Sequence, residues 1–259
     1  MRLTRVFVDA PLESGMSVDL PVATGAHLVK VLRARSGDEL VLFNGDGRDF
    51  AGVIGAVRGK QVSAQIGAAR RVDAESRLAI TLVQCLPRAE KMDLIVQKAT
   101  ELGVTRIVPV ISQRSVVRLD EDQAQSKQDH WQAVAVSACE QCGRARLPTI
   151  ERPVQLLKFL GDLSAATHPR WVLEPHALPT AHTGPGALTT PARAPLTAAE
   201  LSVGPEGGFA PDELEAFGLV GFVPMGLGPR VLRTETAAIA ALVWVQTLFG
   251  DMRFFGDIA

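Results

Sequence analysis

Two short segments near the C-terminal end of the chain combine glycine and proline with charged and other polar side chains. The GPEGG segment is residues 204–208, and the RTET segment, residues 227–237, has the sequence LGPRVLRTETA. Glycine lets a ligand approach the bare backbone, and proline fixes one dihedral and removes a donor, so such loops are shaped before anything binds. Each segment holds one carboxylate, Glu206 or Glu235. We therefore interpret the two segments as halves of one small-molecule pocket.

Each segment also has a purely structural interpretation. A Gly-Gly pair often marks a tight turn that needs positive backbone angles, although such a turn does not require the carboxylate of Glu206. Thr234 and Glu235 could cap the helical pattern that follows them and interact with its dipole. Against this, burial of the four consecutive polar residues 233–236 without partners would cost free energy. Taken singly, each segment leaves both interpretations open.

The sequence lacks the common motifs of nucleotide and metal chemistry. No predicted strand is followed by G-x-G-x-x-G, and no Walker A lysine, serine elbow, H-E-x-x-H or calcium loop is present. Cys139 and Cys142 form a C-x-x-C, but no second Cys or His pair lies at ligand spacing, and the motif falls within a helical pattern. We interpret Cys142 as a small residue near a helix end, and we expect no metal site.

Length and composition indicate a globular protein of one large domain or two ordinary ones. The chain has 259 residues, is 47% hydrophobic and has a mean hydropathy of +0.16, which is ample for a buried core. No apolar run approaches the roughly 20 residues that span a membrane, and the N-terminus lacks the apolar core of a signal peptide. We therefore expect a cytoplasmic protein that makes no membrane contact.

Charge is distributed unevenly, although the net charge is only −1. Residues 1–72 carry 10 Lys and Arg against 7 Asp and Glu, whereas residues 193–259 carry 4 against 8. A basic N-terminal region is compatible with a module that faces phosphate groups. Chance variation among solvated surface charges explains the same numbers, so charge alone does not show whether this region faces phosphate groups.

The first 72 residues show the alternation that is typical of short β-strands. Residues 44–47 form a hairpin turn signal, and one helical pattern at residues 23–34 carries an apolar stripe. The strand-like runs are residues 6–8, 39–43, 50–54 and 62–66. We therefore predict a small β-barrel with one helix at residues 1–72, with a polar linker at residues 68–77.

From residue 73 onward, strands alternate with helices, which predicts an α/β fold. The predicted strands are residues 78–85, 106–111, 171–173, 201–203 and 222–225, and the predicted helices are residues 89–102, 122–142, a short one from Pro211, and 234–249. This order favours a mostly parallel sheet that is covered on both faces. Ligands bind such sheets beyond the carboxyl ends of the strands, where the GPEGG segment is predicted to lie.

Motifs along nearly the whole chain resemble those of one family. They are His27-Leu28 with residues 31–33 and Gly37-Asp38, residues 91–93, 97–104 and 113–117, residues 140–142 with Arg144 and Pro148, and the GPEGG and RTET segments. The chain resembles the small-subunit ribosomal RNA (uracil-N3)-methyltransferases, the RsmE family of the SPOUT class. The GPEGG and RTET segments together are the most specific part of this resemblance.

The resemblance implies a fold, a cofactor and a reaction. The fold would be an RNA-binding, PUA-like β-barrel at residues 1–72, followed at residues 73–259 by a SPOUT-like methyltransferase domain with a mostly parallel sheet and a C-terminal trefoil knot. True knots are nearly absent from proteins, so the sequence pattern alone would not predict one. Such enzymes work as homodimers, and they use S-adenosylmethionine to methylate N3 of one uridine in 16S ribosomal RNA of the small ribosomal subunit.

Candidate site residues follow from the resemblance and from the chemistry it implies. Glu235 and Arg233 are the catalytic candidates, because N3 of uridine needs a base, or a cation that stabilises its anion, before it can accept a methyl group. The implied cofactor-binding residues are Leu173, Gly204, Pro205, Glu206, Gly207, Gly208, Leu227, Gly228, Leu232, Arg233 and Thr236. The candidate RNA-binding residues are Arg5, His27, Arg33, Arg114 and Arg144. Arginine suits bidentate recognition of phosphates and bases, although a single arginine is also consistent with a solvated or ion-paired side chain.

Two departures from the family pattern and two other classes of function stay open. Cys142 stands where the family usually has serine, and the Pro- and Ala-rich loop at residues 175–195, which contains His176 and His182, is longer than usual. We expect both histidines to be solvated. The alternatives are a non-catalytic RNA-binding protein with a vestigial knot and a small-molecule α/β enzyme without an RNA partner. The intact GPEGG and RTET segments disfavour the first alternative, and the predicted barrel disfavours the second.

Overall fold

The computed structural model describes residues 3–88, 91–165, 167–175, 177 and 196–252. Contacts group these residues into two compact units. The N-terminal unit comprises the residues up to Glu75 together with Val136–Leu147, and the sheet unit comprises Ser76–Ala135 together with the residues from Pro148 onward. The predicted division of the chain between residues 72 and 73 remains a prediction, and a boundary drawn along the sequence leaves Val136–Leu147 out of the first unit.

The N-terminal unit is built on a five-stranded sheet in the order β1-β3-β4-β5-β2. Its elements are β1 Thr4–Phe7, β2 Ser17–Asp19, α1 Val22–Lys30, β3 Glu39–Phe43, β4 Arg48–Arg58 and β5 Gln61–Arg71. β1 pairs with β3 in parallel, and the other pairs are antiparallel. Alternate residues enter one apolar core that includes Val6, Leu42, Phe50 and Ile54. The four predicted strands and the helix are confirmed.

Three local predictions for this unit were wrong. Strand β5 continues to Arg71, which pairs with Arg48, so the first four residues of the predicted linker belong to the sheet. Strand β2 was missed because it has only three residues and shows too little alternation. Helix α1 ends at Lys30 rather than at residue 34, and Arg33 adopts a left-handed φ of 54° that a right-handed helix cannot contain.

The sheet unit contains a sheet in the order β12-β10-β11-β6-β7-β8, with β9 also paired to β7. Its strands are β6 Ala79–Cys85, β7 Arg106–Ile111, β8 Thr149–Ile150, β9 Val154–Gln155, β10 Arg170–Leu173, β11 Ala198–Val203 and β12 Phe222–Met225. The remaining helices are α2 Lys91–Glu101, α3 Glu121–Cys142, α4 Leu156–Gly161, α5 Pro211–Leu219 and α6 Thr234–Phe249. Every pairing of this sheet within the described residues is parallel, as predicted. Helix α4 and the two-residue strands β8 and β9 were not predicted.

Helices cover both faces of this sheet, which explains why its central strands read as continuous apolar runs. Leu82 of β6 and Leu201 of β11 belong to a cluster with side chains of α2, α3 and α6. Val83 of β6 and Val172 of β10 belong to a second cluster with side chains of α4 and α5. Successive residues of a strand point to opposite faces, so a strand buried on both sides needs apolar residues at every position. Full burial of each such side chain contributes about 1.5–3 kcal/mol.

The carboxyl ends of β10, β11 and β12 lie side by side, because β10 pairs in parallel with both of the others. The GPEGG segment directly follows β11, and the RTET segment lies between β12 and α6. The prediction that the GPEGG segment lies beyond a strand end is thus confirmed, while the trefoil knot remains a prediction. The predicted loop at residues 175–195 falls, apart from residues 175 and 177, outside the described residues, as do His176 and His182. Among the helices described, none combines the length and the apolar character that crossing a membrane requires.

Candidate functional site

A cavity of about 290 Å³ lies at the carboxyl ends of β10, β11 and β12. Its walls come from the three stretches of chain that leave these strands. The lining residues are Leu173, Glu174, Pro175, Val203, Gly204, Pro205, Glu206, Gly208, Met225, Leu227, Gly228, Arg230, Val231, Leu232, Arg233, Thr234 and Ala237. Neighbouring parallel strands end at one edge of a sheet, so the loops that leave them enclose a common space. The GPEGG and RTET segments therefore form walls of one cavity.

The lining includes all of the predicted cofactor-binding residues except Gly207 and Thr236. Gly207 instead packs against Arg114, whose guanidinium donates a hydrogen bond to the Gly207 carbonyl oxygen at 3.0 Å. Thr236 is exposed on the first turn of α6. The lining residues that the sequence did not assign to cofactor binding are Glu174, Pro175, Val203, Met225, Arg230, Val231, Thr234 and Ala237. Several of these residues end a strand or directly follow one. Their position relative to the predicted strands could therefore have identified them as lining residues.

Three glycines give the cavity walls their shape. Gly228 has φ +102° and Gly208 has φ +66°, which are left-handed conformations that side-chain-bearing residues rarely adopt. Apart from the adjacent residues in the chain, no atom of the described residues lies within 4 Å of the position that a Cβ would take at either glycine. At Gly204, by contrast, a Cβ would lie 3.2 Å from the ring of Phe209. Backbone geometry thus favours glycine at the first two positions, and close packing against Phe209 favours it at the third.

Thr234 joins the two segments through its hydroxyl group. The hydroxyl donates a hydrogen bond to the carbonyl oxygen of Gly204 at 2.7 Å and accepts one from the amide of Gln84 at 3.1 Å. Thr234 is the first residue of α6, and Arg233 occupies the cap position without a capping side-chain bond. The prediction that Thr234 caps this helix was therefore wrong, because its hydroxyl is committed to Gly204. Gln84 is a polar residue near the end of a mostly apolar strand, and the structure buries it. A polar residue in such a strand needs a partner, so Gln84 is the feature of the sequence that could have predicted this contact.

One lysine contacts the carboxylates of both segments. The ammonium of Lys91, the first residue of α2, lies 2.8 Å from Oε1 of Glu206 and 3.6 Å from Oε2 of Glu235. The Glu206 carboxylate also accepts the backbone N–H of Arg88 at 3.2 Å. Burial alone would raise the pKa of Glu206, but the hydrogen bonds from Lys91 and from backbone N–H groups outweigh it and lower the pKa below its ordinary value. Glu206 therefore remains ionised at neutral pH, and Lys91 was not among the predicted site residues.

The two catalytic candidates occupy different positions. Arg233 is exposed and lines the cavity. Glu235 is not part of the lining, and its side chain, which is 14% exposed, faces Lys91. Their catalytic roles stay predictions.

Two of the candidate RNA-binding arginines are buried in the N-terminal unit. The guanidinium of Arg5 donates to Asp49 at 2.5 Å and to the carbonyl oxygen of Arg144 at 2.9 Å, and it lies over the ring of Phe43. Arg144 in turn forms an ion pair with Glu75 at 2.9 Å, and its side chain is only 4% exposed. Both guanidinium groups are engaged within the protein, which favours a structural role over contact with phosphate.

The other candidate RNA-binding residues are exposed. Arg114 lies beside the GPEGG segment through its bond to Gly207. His27 lies on α1, and Arg33 follows that helix in its left-handed conformation. A non-glycine residue with positive φ carries a cost of about 1–3 kcal/mol, and such strain is often found at functional positions. Contact of these three residues with RNA stays a prediction.

The cysteines show no geometry of a metal site. Cys85 and Cys139 are fully buried, and Cys142 is partly buried near the end of α3. Burial raises the pKa of the Cys85 thiol, and a hydrogen bond with Cys142, followed by burial, raises that of Cys139. Within the part of the chain that the structure describes, no group of three or more His, Cys, Asp or Glu side chains is placed to hold a metal ion.

Comparison with known proteins identifies both parts of the chain as RNA methyltransferase modules. The family described as RNA methyltransferase domain matches residues 74–246, and the family described as RNA methyltransferase PUA domain matches residues 21–67. The cavity and both segments lie inside the first match. The fold and the site thus define a methyltransferase of the class that carries a PUA domain at its N-terminal side.

The similarity to individual proteins extends over nearly the full chain. Ribosomal RNA small subunit methyltransferase E of Buchnera aphidicola subsp. Schizaphis graminum is 32% identical over 97% of this chain and 98% of its own length. A Legionella pneumophila structure, that of a putative methyltransferase in complex with the bound cofactor SAM, is 37% identical with a TM-score of 0.88 over 97% of this chain and 100% of that chain. The Neisseria gonorrhoeae ribosomal RNA small subunit methyltransferase E, bound to S-adenosyl methionine, is 34% identical with a TM-score of 0.84 over the same shares. The chain belongs to the ribosomal RNA small subunit methyltransferase E family.

Proposed function

We propose that this protein transfers a methyl group from S-adenosylmethionine to N3 of a uridine in the 16S ribosomal RNA of the small ribosomal subunit. The observation that carries the proposal is that the GPEGG and RTET segments form walls of one cavity at adjacent strand ends. Family membership supports it, because relatives that match this chain over nearly their full length are named as methyltransferases of small-subunit ribosomal RNA.

The residues of the cavity fit S-adenosylmethionine. Apolar side chains such as Leu173, Leu227 and Leu232 line the cavity, and a purine can pack against them. Gly208 and Gly228 expose backbone where no side chain from the described part of the chain intrudes. Glu206 adds an ionised carboxylate to the wall, which suits a ligand that carries positive charge. We propose that these residues hold the cofactor together with the other cofactor-binding residues named above, of which Gly207 and Thr236 lie outside the lining.

When bound, S-adenosylmethionine supplies a methyl group activated by the adjacent sulfonium. The protein holds the acceptor nitrogen in line with that methyl carbon, because in-line displacement depends on orientation. N3 of uracil first loses its proton; the N–H bond breaks, the electron pair stays on N3 and the proton passes to a carboxylate. We assign that acceptor role to Glu235. Arg233, which lines the cavity, stabilises the negative charge that develops on the uracil ring.

Ribosomal RNA is the proposed partner, with Arg33, His27 and Arg114 as contact residues because these side chains are exposed. N3 of a paired uridine is hidden, so the target base must be unpaired or displaced from its helix before the reaction. The family resemblance supports a homodimer, a C-terminal trefoil knot and a cytoplasmic location, and we propose all three.

The test is transfer of a labelled methyl group to small ribosomal subunits purified from a strain that lacks this activity. We expect mass analysis of the digested 16S ribosomal RNA to show 3-methyluridine at one position, and calorimetry to show binding of S-adenosylmethionine. Cofactor binding without transfer would favour a non-catalytic RNA-binding protein. Methylation of a small molecule, but of no RNA, would favour the small-molecule enzyme instead.

A further inference from the structure

The ammonium of Lys91 joins three separate elements around the cavity. It begins α2, contacts Glu206 of the GPEGG segment at 2.8 Å, and lies 3.6 Å from Glu235 on the first turn of α6. The two carboxylates are 29 positions apart in sequence, since 235 − 206 = 29, and 115 or more positions from the lysine. One side chain of α2 thus connects the walls that the GPEGG and RTET segments form.

The two carboxylates have unequal shares of hydrogen-bond donors. Glu206 accepts from the Lys91 ammonium and from the backbone N–H of Arg88, which lies just before α2. Glu235 Oε2 is buried, and among the described residues no donor lies within hydrogen-bonding distance of it. Its separation from Lys91 lies just beyond that distance.

This inequality assigns different tasks to the two acids. A carboxylate that is satisfied by several donors stays ionised and is a poor proton acceptor. In Glu235, the oxygen without a hydrogen-bond partner among the described residues is Oε2, which is buried and faces the ammonium, so a substrate proton would have to reach Oε1. Enzymes that use pairs of carboxylates commonly separate the roles in this way, through the surroundings of each.

We propose that Lys91 is a positioning residue: it anchors Glu206 as a fixed anion of the cofactor wall and, through its attraction to Oε2, holds Glu235 in place to accept the N3 proton of uracil on Oε1. This proposal rests on the proposed function, because it names the residue that organises the proton transfer of that reaction. The charged groups in contact within the cluster are Lys91, Glu206 and Glu235, and Arg88 contributes its backbone N–H.

The experiment replaces Lys91 by Met, which keeps the length of the side chain and removes its charge. With the methylation assay on small ribosomal subunits, we expect kcat of Lys91→Met to fall on the order of 100-fold, the usual effect of a misplaced reacting group. The acid limb of its pH profile should move to higher pH, because the hydrogen bond from Lys91 lowers the pKa of Glu206 and its loss raises that pKa. Lys91→Arg should restore most of the rate, since it restores the cation.

A double variant tests whether Lys91 acts through Glu235. We expect the loss of kcat in Lys91→Met combined with Glu235→Gln to be clearly less than the product of the two single losses, because part of the effect of the lysine passes through Glu235. Independent, additive losses would overturn the proposal. The control is Lys98→Met on the same helix, whose ammonium pairs with Glu101 at 2.9 Å and which does not line the cavity; its kcat should stay at the wild-type value.

Hydrogen exchange provides a readout that does not depend on activity. Amides of the GPEGG and RTET segments should exchange faster in Lys91→Met than in the wild type, while Lys98→Met should show no change there. If the wild type transfers no methyl group to RNA, the proposed function fails, and the exchange result still decides whether Lys91 joins the two segments. If the wild type is active and Lys91→Met matches it in rate and exchange, the role of Lys91 is refuted while the proposed function stands.

Discussion

Ion pairs serve opposite purposes in the two units of the molecule. In the N-terminal unit, Arg5 and Asp49 are 7% and 8% exposed, and the guanidinium is further tied to a carbonyl oxygen and an aromatic ring. In the sheet unit, Lys91 and Glu206 are 29% and 31% exposed, and Glu206 borders a cavity. The buried pair leaves Arg5 Nε and Asp49 Oδ1 without partners among the described residues, but both side chains are closed off from solvent, so the pair contributes to the shape of its unit. The partly exposed cluster includes Glu206, which lines the cavity, so its charges can act on a bound ligand.

The largest effect that would test this comparison is expected from Arg5→Met. Removal of the guanidinium leaves Asp49 buried without its main partner, and such a loss typically destabilises a protein by about 3–5 kcal/mol. Urea unfolding followed by circular dichroism measures the change. Arg70→Met is the matched control, because Arg70 approaches the same carboxylate at 3.7 Å but is 81% exposed, and its loss should cost less than about 1 kcal/mol. A stable Arg5→Met protein with weakened RNA binding would instead make Arg5 an RNA contact.

A smaller effect, confined to the cavity, is expected from Gly228→Ala. Alanine at φ +102° strains the backbone by about 1–3 kcal/mol and places a methyl group on the cavity wall. We expect the affinity for S-adenosylmethionine, measured by calorimetry, to fall by roughly tenfold or more. Gly221→Ala is the control, since Gly221 has φ +85° and equally open surroundings but does not line the cavity. Equal losses of affinity in the two variants would show that strain alone, and not the cavity wall, causes the effect.

The smallest effect concerns Glu140, a carboxylate of the N-terminal unit that accepts the backbone N–H of Phe7 at 3.0 Å. Burial raises its pKa above the ordinary value of 4.5, against the opposing effect of the Phe7 N–H. The folded state therefore holds this proton more tightly than the unfolded state, and the stability it contributes is present below pH 4.5 and lost as the pH rises through the folded-state pKa.

Glu140→Gln keeps an acceptor for Phe7 without this penalty. We expect a gain of less than about 1 kcal/mol in the free energy of unfolding at pH 7, and no gain at pH 4. Urea unfolding at the two pH values measures it, with the exposed Glu215→Gln as the control. A loss of stability at pH 7 would show that the ionised carboxylate bonds Phe7 better than the amide does.

Sequence patterns correctly predicted the features that depend on residues close together in the chain. The apolar run of β6, the glycine that ends α2 and the strand alternation of the N-terminal unit were all confirmed, because burial on one or both faces leaves its period in the sequence. The cavity was anticipated in part, since glycine and proline mark backbone that must take a special shape. The bonds of Thr234 to Gly204 and of Lys91 to Glu206 join residues 30 and 115 positions apart, and no local pattern records such pairs. The burial of Arg5 depended likewise on Asp49, 44 positions away.

The third wall of the cavity comes from residues 225–237, and β12 must take its place beside β10 before that wall exists. A ribosome making this protein releases the N-terminal unit and most of the sheet long before those residues emerge. A nascent chain that stops short of them has a core but nowhere to receive a ligand. A ligand can therefore bind only after β12 has been synthesised and α6 has packed in place. Such a ligand selectively stabilises the chains that have reached that stage.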